Sequence, residues 1–355
     1  MTDLFTPVHV GRNELPNRIV MAPMTRDRAT GAVPNDLMRL YYEQRASAGL
    51  IVTEGIAPER YGHGYIDTPG LYTAEQVAGW RAITEAVHAK GGRIFAQLMH
   101  TGRISHPSFL DGRTPVGASA VRPAGQVHTT EGLADFVAPR PLESEEVTGI
   151  VSHYTRAAKL AVAAGFDGVE IHAANGYLPH QFLSTNANRR IDKWGGSIPN
   201  RARFLLEIAD ASAAAIGSER VAVRLSPGHG FNDIEEEDAV TLYAFVAHRL
   251  SRLGLAYLHV LDSQPGFDVP ALIRANYPGT LMLNQGYDRE RANADIASGK
   301  AELISFGIPF IANPDLPERL RIGAPLNTPD RETFYTGGER GYTDYPALAE
   351  MAQAA

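Results

Sequence analysis

The chain has no cysteine among its 355 residues. That excludes disulfides, thiolate nucleophiles, cysteine-bound zinc and iron–sulfur clusters as sources of its chemistry. It also lacks any apolar run near the roughly 20 residues that a membrane-spanning helix needs. Basic charge is not in surplus: 33 Lys and Arg stand against 40 Asp and Glu, a formal net charge of −7, with no dense Lys/Arg run. A nucleic-acid surface needs a basic patch, so no such partner is expected. No G-x-G-x-x-G follows a strand-like run, which argues against an open dinucleotide-binding sheet. The opening MTDLFTPVHV has neither a basic nor an apolar leader region, so a cytoplasmic protein without a secretion signal is expected. His128, His153 and His248 show no metal spacing and are read as surface or packing residues, and no metal is expected.

What the chain does contain is enough apolar material, 44% of residues, for a large core. Short β-rich runs alternate with longer stretches of helical period, the pattern of a parallel sheet with crossover helices. The runs are Arg18–Met21, Leu50–Thr53, Arg93–Leu98, Gly168–Ile171, Val221–Leu225, Tyr257–Leu261, Thr280–Leu283 and Leu303–Phe306. Val147, Ile150, Val151, Tyr154, Ala158 and Ala161 mark one helix face, and Val240, Tyr243, Val246, Leu250 and Leu253 another. Eight strands fit a closed barrel better than an open sheet. The expectation is an α/β protein, a single (β/α)8 TIM barrel spanning residues 1–355. A long Pro- and Gly-rich excursion after strand three, about 105–142, reads as a lid or binding segment. The acidic run Glu235–Asp238 reads as a solvated helix start.

Barrel active sites lie at the carboxyl ends of the strands. Past the first strand come Pro23 and Thr25; past the second, Glu54 and Gly55; near the third, Gln97 and His100. The fourth runs into Glu170, His172, Asn175 and Tyr177, the fifth ends at Arg224, the seventh meets Asn284, Gln285 and Gly286, and the eighth Gly307. Arg224 sits in the apolar run AVRLSP, where an unpaired buried charge is costly. It should face an anion, with a structural ion pair as the competing reading. Glycine-bearing turns after strands seven and eight are where many barrels hold a phosphate through backbone N–H groups.

The segments RIVMAPMTRDRAT, YYEQRASAGLIVTEG, FAQLMHTGRISHP, FDGVEIHAANGYLPHQFLSTNANRRIDKWGGSIPNRARF, VRLSP, SFGIPFIANPDL and GYTDYP, in this order along nearly the whole chain, resemble the Old Yellow Enzyme family. The resemblance implies an FMN-dependent ene-reductase, with NADPH or NADH as electron donor and a small activated alkene as substrate, working as a monomer or homodimer. By that resemblance Pro23, Met24 and Thr25 run beside the flavin, Gly55 approaches it, Gln97 meets its pyrimidine edge and Arg224 lies near N1. Gln285–Gly286 and Gly307–Ile308 hold the phosphate, although Ile308 stands where the family commonly has Arg. His172 and Asn175 would bind a substrate carbonyl oxygen, Tyr177 would donate a proton, and Tyr65 and Tyr335 would line the substrate pocket. Met99 stands where many relatives carry Trp.

Two other functions compete. A glycoside hydrolase on the same barrel would use Glu54 and Glu170 as its paired carboxylates. A flavin-binding sensor or carrier would need no oxyanion pair and no acid. A multidomain dienoyl-CoA reductase is disfavoured, because its iron–sulfur clusters need cysteine.

Overall fold

A computed structural model describes residues 2–350; Met1 and 351–355, the ends of the expected single domain, lie outside the described residues. Eight parallel strands close a barrel. They are β1 (Ile19–Met21), β2 (Leu50–Ile56), β3 (Ile94–Leu98), β4 (Gly168–Ala173), β5 (Val221–Leu225), β6 (Tyr257–Leu261), β7 (Leu281–Asn284) and β8 (Leu303–Phe306). Each expected run is a strand, with bounds displaced by three residues at most. Helices cross between consecutive strands, as parallel pairing requires. Their starts are set locally: Thr73 and Gln76 exchange side-chain and backbone bonds ahead of helix Ala74–Ala89, a capping box.

Strand alternation sorts the barrel interior into layers. Val20, Leu50, Val52, Phe95, Ala222, Tyr257, Met282 and Leu303 form one buried apolar cluster, stoppered by Val10 and Leu15 of the hairpin Val8–Val10/Asn13–Leu15. Two residues further along the strands the side chains turn polar: Gln97, Arg224, His259, Asn284 and Ser305, joined by Glu170 of β4. Outside the barrel, Val147, Ile150, Val151, Tyr154, Ala158 and Ala161 are all buried against the strands, as their spacing implies.

Three expectations need correction. Val240 is 48% exposed, because the buried stripe of helix Ala239–Leu250 runs through Leu242, Tyr243, Val246 and Leu250, and Val240 lies off that arc. The acidic run is not simply solvated. Glu236 accepts hydrogen bonds from Tyr243 Oη (2.8 Å) and the Gly228 amide (2.9 Å) and sits 3.1 Å from His180 Nε2, while Asp238 pairs with Arg201. The stretch 105–142 is not wholly irregular, for it carries the hairpin Gln126–Thr129/Gly132–Asp135.

Candidate active site

At the carboxyl ends of the strands lies a cavity of about 560 Å³, within the roughly 300–1,000 Å³ usual for small-molecule sites. Its floor is the polar layer. Glu170 is fully buried and holds both oxygens in hydrogen bonds, one from Gln97 Nε2 (2.8 Å) and one with His259 Nδ1 (2.9 Å). Burial alone would push this carboxyl up, but His259, Arg224 and Gln97 together hold it below the usual range, so it is ionised. An ionised carboxylate only accepts, which fixes the Gln97 amide with its nitrogen on Glu170 and leaves its oxygen for the cavity. Burial and the nearby Arg224 push His259 down to about 4. The neutral ring therefore donates from Nδ1 to Glu170 and accepts from Ser305 Oγ (2.8 Å) at Nε2.

Arg224 pairs in register with His172 on one side and His259 on the other. Its Nη2 donates to Asn284 Oδ1 (3.0 Å), Nη1 lies 3.4 Å from His259 Nε2, and its buried Nε has no partner. Among the described residues no carboxylate lies within ion-pair distance of it, although Glu170 is near enough to favour its charge. The structural ion-pair reading therefore fails.

The opposite wall comes from the end of β4 and the loop after it. His172 Nδ1 accepts the Ala174 amide (3.3 Å), which places the ring proton on Nε2. Burial, with Arg224 and two other histidines nearby, holds the ring well below its ordinary range and so neutral. Asn175 takes a left-handed conformation (φ 55), which short polar residues tolerate, and its backbone is pinned, the N–H donating to Ser226 Oγ (2.9 Å) and the carbonyl accepting from Asn232 Nδ2 (2.8 Å). The next residue must be glycine: a Cβ on Gly176 would come within 2.6 Å of Asn232. Tyr177 follows, its ring edge-on to His172 with centroids 4.8 Å apart and its hydroxyl 2.9 Å from that of Tyr65. Burial pushes the Tyr177 phenol well above its ordinary range.

Of the residues expected at the site, Pro23, Met24, Thr25, Gly55, Gln97, His172, Asn175, Tyr177, Arg224, Gly307, Ile308 and Tyr335 line this one cavity. Tyr65 does not; it stands behind Tyr177. Gln285 and Gly286 are exposed and off the cavity wall, and their carbonyls accept from Arg291 (3.2 Å each), itself paired with Asp262 (2.8 Å). Gly55 has a packing reason of its own, since a Cβ there would meet Met99 at 2.5 Å. Glu54 points away from the cavity and accepts from Tyr42 Oη (3.1 Å), and Glu170 lies beneath the cavity with both oxygens occupied. The carboxylate pair that a glycosidase needs is thus absent from this cavity.

Two C-terminal residues beside the expected Tyr335 also reach the site. Arg331 and Phe334 line the mouth with Tyr335. The Phe334 carbonyl is held by Arg26 Nε (2.9 Å) and Arg28 Nη1 (3.0 Å), both just past β1. The two arginines inside TRDRAT were the available signal, since buried guanidinium groups must find acceptors. The excursion hairpin also reaches the site: Val127 and Phe136 pack with Met99, Ile104 and Tyr177.

A closed (β/α)8 barrel with a buried arginine, unpaired by any carboxylate, at the cavity floor and neutral donors opposite it defines a class: barrels whose site is built for an anionic ligand. Comparison with known proteins makes this specific. The sequence profile of the NADH:flavin oxidoreductase / NADH oxidase family matches residues 3–327. Morphinone reductase in complex with tetrahydroNAD superposes with a TM-score of 0.95 at 47% identity, over 98% of each chain. The old yellow enzyme homologue from Zymomonas mobilis gives 0.95 at 42% identity, over 98% of this chain and 100% of that one. A probable flavin mononucleotide-dependent alkene reductase of Leishmania infantum is 42% identical over 355 residues, 97% of either chain. The chain belongs to the NADH:flavin oxidoreductase / NADH oxidase family, in its Old Yellow Enzyme branch. It is an FMN-dependent ene-reductase that draws electrons from a nicotinamide donor.

The residues fit the cofactor. The unpartnered Nε of Arg224 is a buried cationic donor of the kind an anionic reduced flavin needs, and the Gln97 oxygen is an acceptor of the kind a pyrimidine N–H needs. Among the described residues no helix is long and apolar enough to cross a membrane.

Proposed function

We propose that this site reduces the C=C bond of small alkenes activated by a carbonyl or nitro group, such as enones, maleimides and nitroalkenes, with each residue in the following role. FMN, when bound, supplies hydride transfer from the nicotinamide to the β-carbon of the alkene. Pro23, Met24 and Thr25 flank its ring, Gly55 and Gln97 border it, and Arg224 holds the charge that reduction places at the pyrimidine edge. The turn at Gly307–Ile308, which lines the cavity, serves the phosphate. His172 Nε2–H and the side-chain amide of Asn175 donate to the activating oxygen of the substrate, and Tyr335 covers it from the mouth. Tyr177, kept protonated by burial, gives its proton to the α-carbon, a far stronger base than water. The observation that carries this reading is the tautomer of His172: its Nδ1 is committed to the Ala174 amide, so a neutral N–H donor faces the cavity 4.8 Å, centroid to centroid, from the Tyr177 ring.

The direct test is anaerobic. The purified protein should show a flavin spectrum, bleach with NAD(P)H and regain colour with cyclohexenone. Tyr177→Phe should slow recolouring by about tenfold or more and leave bleaching nearly intact; equal damage to both half-reactions would remove the acid role. Residues 1–355 acting as a single FMN-binding domain, monomeric or homodimeric, cytoplasmic and without nucleic-acid partners, belong to the same proposal. Size-exclusion chromatography and cell fractionation test them.

A further inference from the structure

The Tyr177 hydroxyl makes its hydrogen bond to the hydroxyl of Tyr65, 2.9 Å away, and the two rings meet edge-on at 89°. The two phenols differ in position. Tyr177 lines the cavity and is 8% exposed; Tyr65 is half-buried and does not line it. Around them stand Met99, Ile104, Val127 and Phe136, an apolar wall. A Tyr177 that has released its proton is a phenolate against that wall, which is costly unless a donor meets it at once.

We propose that Tyr65 is the positioning residue that supplies this donor and relays solvent protons to Tyr177. The proposal rests on Tyr177 being the acid. As the α-carbon takes the Tyr177 proton, the O–H bond of Tyr177 breaks and a C–H bond forms. The Tyr65 O–H proton then passes along the 2.9 Å bond to the Tyr177 oxygen. Tyr65, nearer the solvent, recovers a proton from water or a buffer acid, so each turnover adds one hydride from the reduced cofactor and one solvent proton to the alkene. The electrostatics run the same way. Burial raises both phenols, Tyr65 to about 12, but their shared hydrogen bond lowers Tyr65 and raises Tyr177, so negative charge settles on Tyr65. Asp27 and Tyr335 are the other titratable groups acting on both, and each raises both.

The test compares holoenzyme of the wild type, Tyr65→Phe, Tyr177→Phe and the double variant, reduced anaerobically and then mixed with cyclohexenone or with a nitroalkene. A nitroalkene that has accepted hydride becomes a nitronate, which its own nitro group stabilises, so its reduction needs no immediate proton. Tyr65→Phe should slow recolouring by cyclohexenone about tenfold, leave the nitroalkene rate within about twofold, and add nothing on top of Tyr177→Phe. Equal slowing with both acceptors would mark a merely structural role and overturn the relay. So would a Tyr65→Phe rate with cyclohexenone equal to wild type, or a full additional loss in the double variant. If Tyr177→Phe itself leaves cyclohexenone reduction unchanged, the acid reading has failed, and the relay with it.

Discussion

Two rings of side chains lie two residues apart inside one barrel and do opposite work. The lower ring, Val20, Val52, Phe95, Ala222, Met282 and Leu303 among others, is apolar and sealed by a hairpin. The upper one, Gln97, Glu170, Arg224, His259 and Ser305, is polar and nearly as buried. Burial of the first is favourable by itself. Burial of the second is tolerated because almost every donor meets an acceptor, and the group left over, Arg224 Nε, marks where a ligand belongs. The contrast shows how alternation along a strand separates stability from binding without any change of fold.

Truncating the lower ring should give the largest effect. Phe95→Ala, which also removes the ring packing against Tyr257 (centroids 5.6 Å apart), should lower stability by about 3–5 kcal/mol and leave FMN affinity nearly unchanged in chemical denaturation and flavin-release assays. A comparable loss of affinity would mean the rings are not separable.

Acid should attack the upper ring. An unfolded histidine binds its proton near 6.5, whereas folded His259 resists until about 4. Within that window the folded protein holds fewer protons, so its stability falls as pH drops, by roughly 3 kcal/mol from this residue. His259→Gln should flatten part of that slope; the rest comes from other depressed groups, such as His63, also about 4 through burial. Denaturation midpoints between pH 7 and 4 measure this, and an unchanged slope in the variant would refute it.

Arg224→Met sharpens the comparison from the other side. Apo-protein stability should fall modestly, because Arg224 is one of the groups that keep the buried Glu170 carboxylate ionised. Reduction of bound flavin by NADPH should slow by about a hundredfold, read by stopped flow. The smallest effect should come from Ile308→Arg at the exposed rim, where Ile308 is 44% exposed. A solvent-screened contact to the cofactor phosphate should slow FMN release by only about threefold; no slowing would show that the side chain there does not face the phosphate.

The strands were legible because eight short apolar runs separated by helical periods admit few arrangements. His172, Asn175 and Tyr177 were found because they follow a predicted strand end, and Arg224 because it is a charge inside an apolar run. The direction of Glu54 stayed open in the sequence for a reason periodicity does not carry. Val52 points inward and strict alternation would send Glu54 inward too, but the β2–β3 register shifts between Val52 and Gly55. That irregularity turns Gly55 to the cavity and Glu54 to Tyr42. Arg331 and Phe334 were missed because their place depends on backbone carbonyls meeting Arg26 and Arg28 more than three hundred positions away in sequence. No local pattern encodes a bond of that span.

The hairpin Gln126–Thr129/Gly132–Asp135 hydrogen-bonds only to itself as a sheet, yet its Val127 and the neighbouring Phe136 press on Tyr177. It can therefore lengthen, shorten or change composition with no strand of the barrel losing its place. Selectivity for one alkene over another is free to drift there while the electron-handling machinery beneath stays fixed.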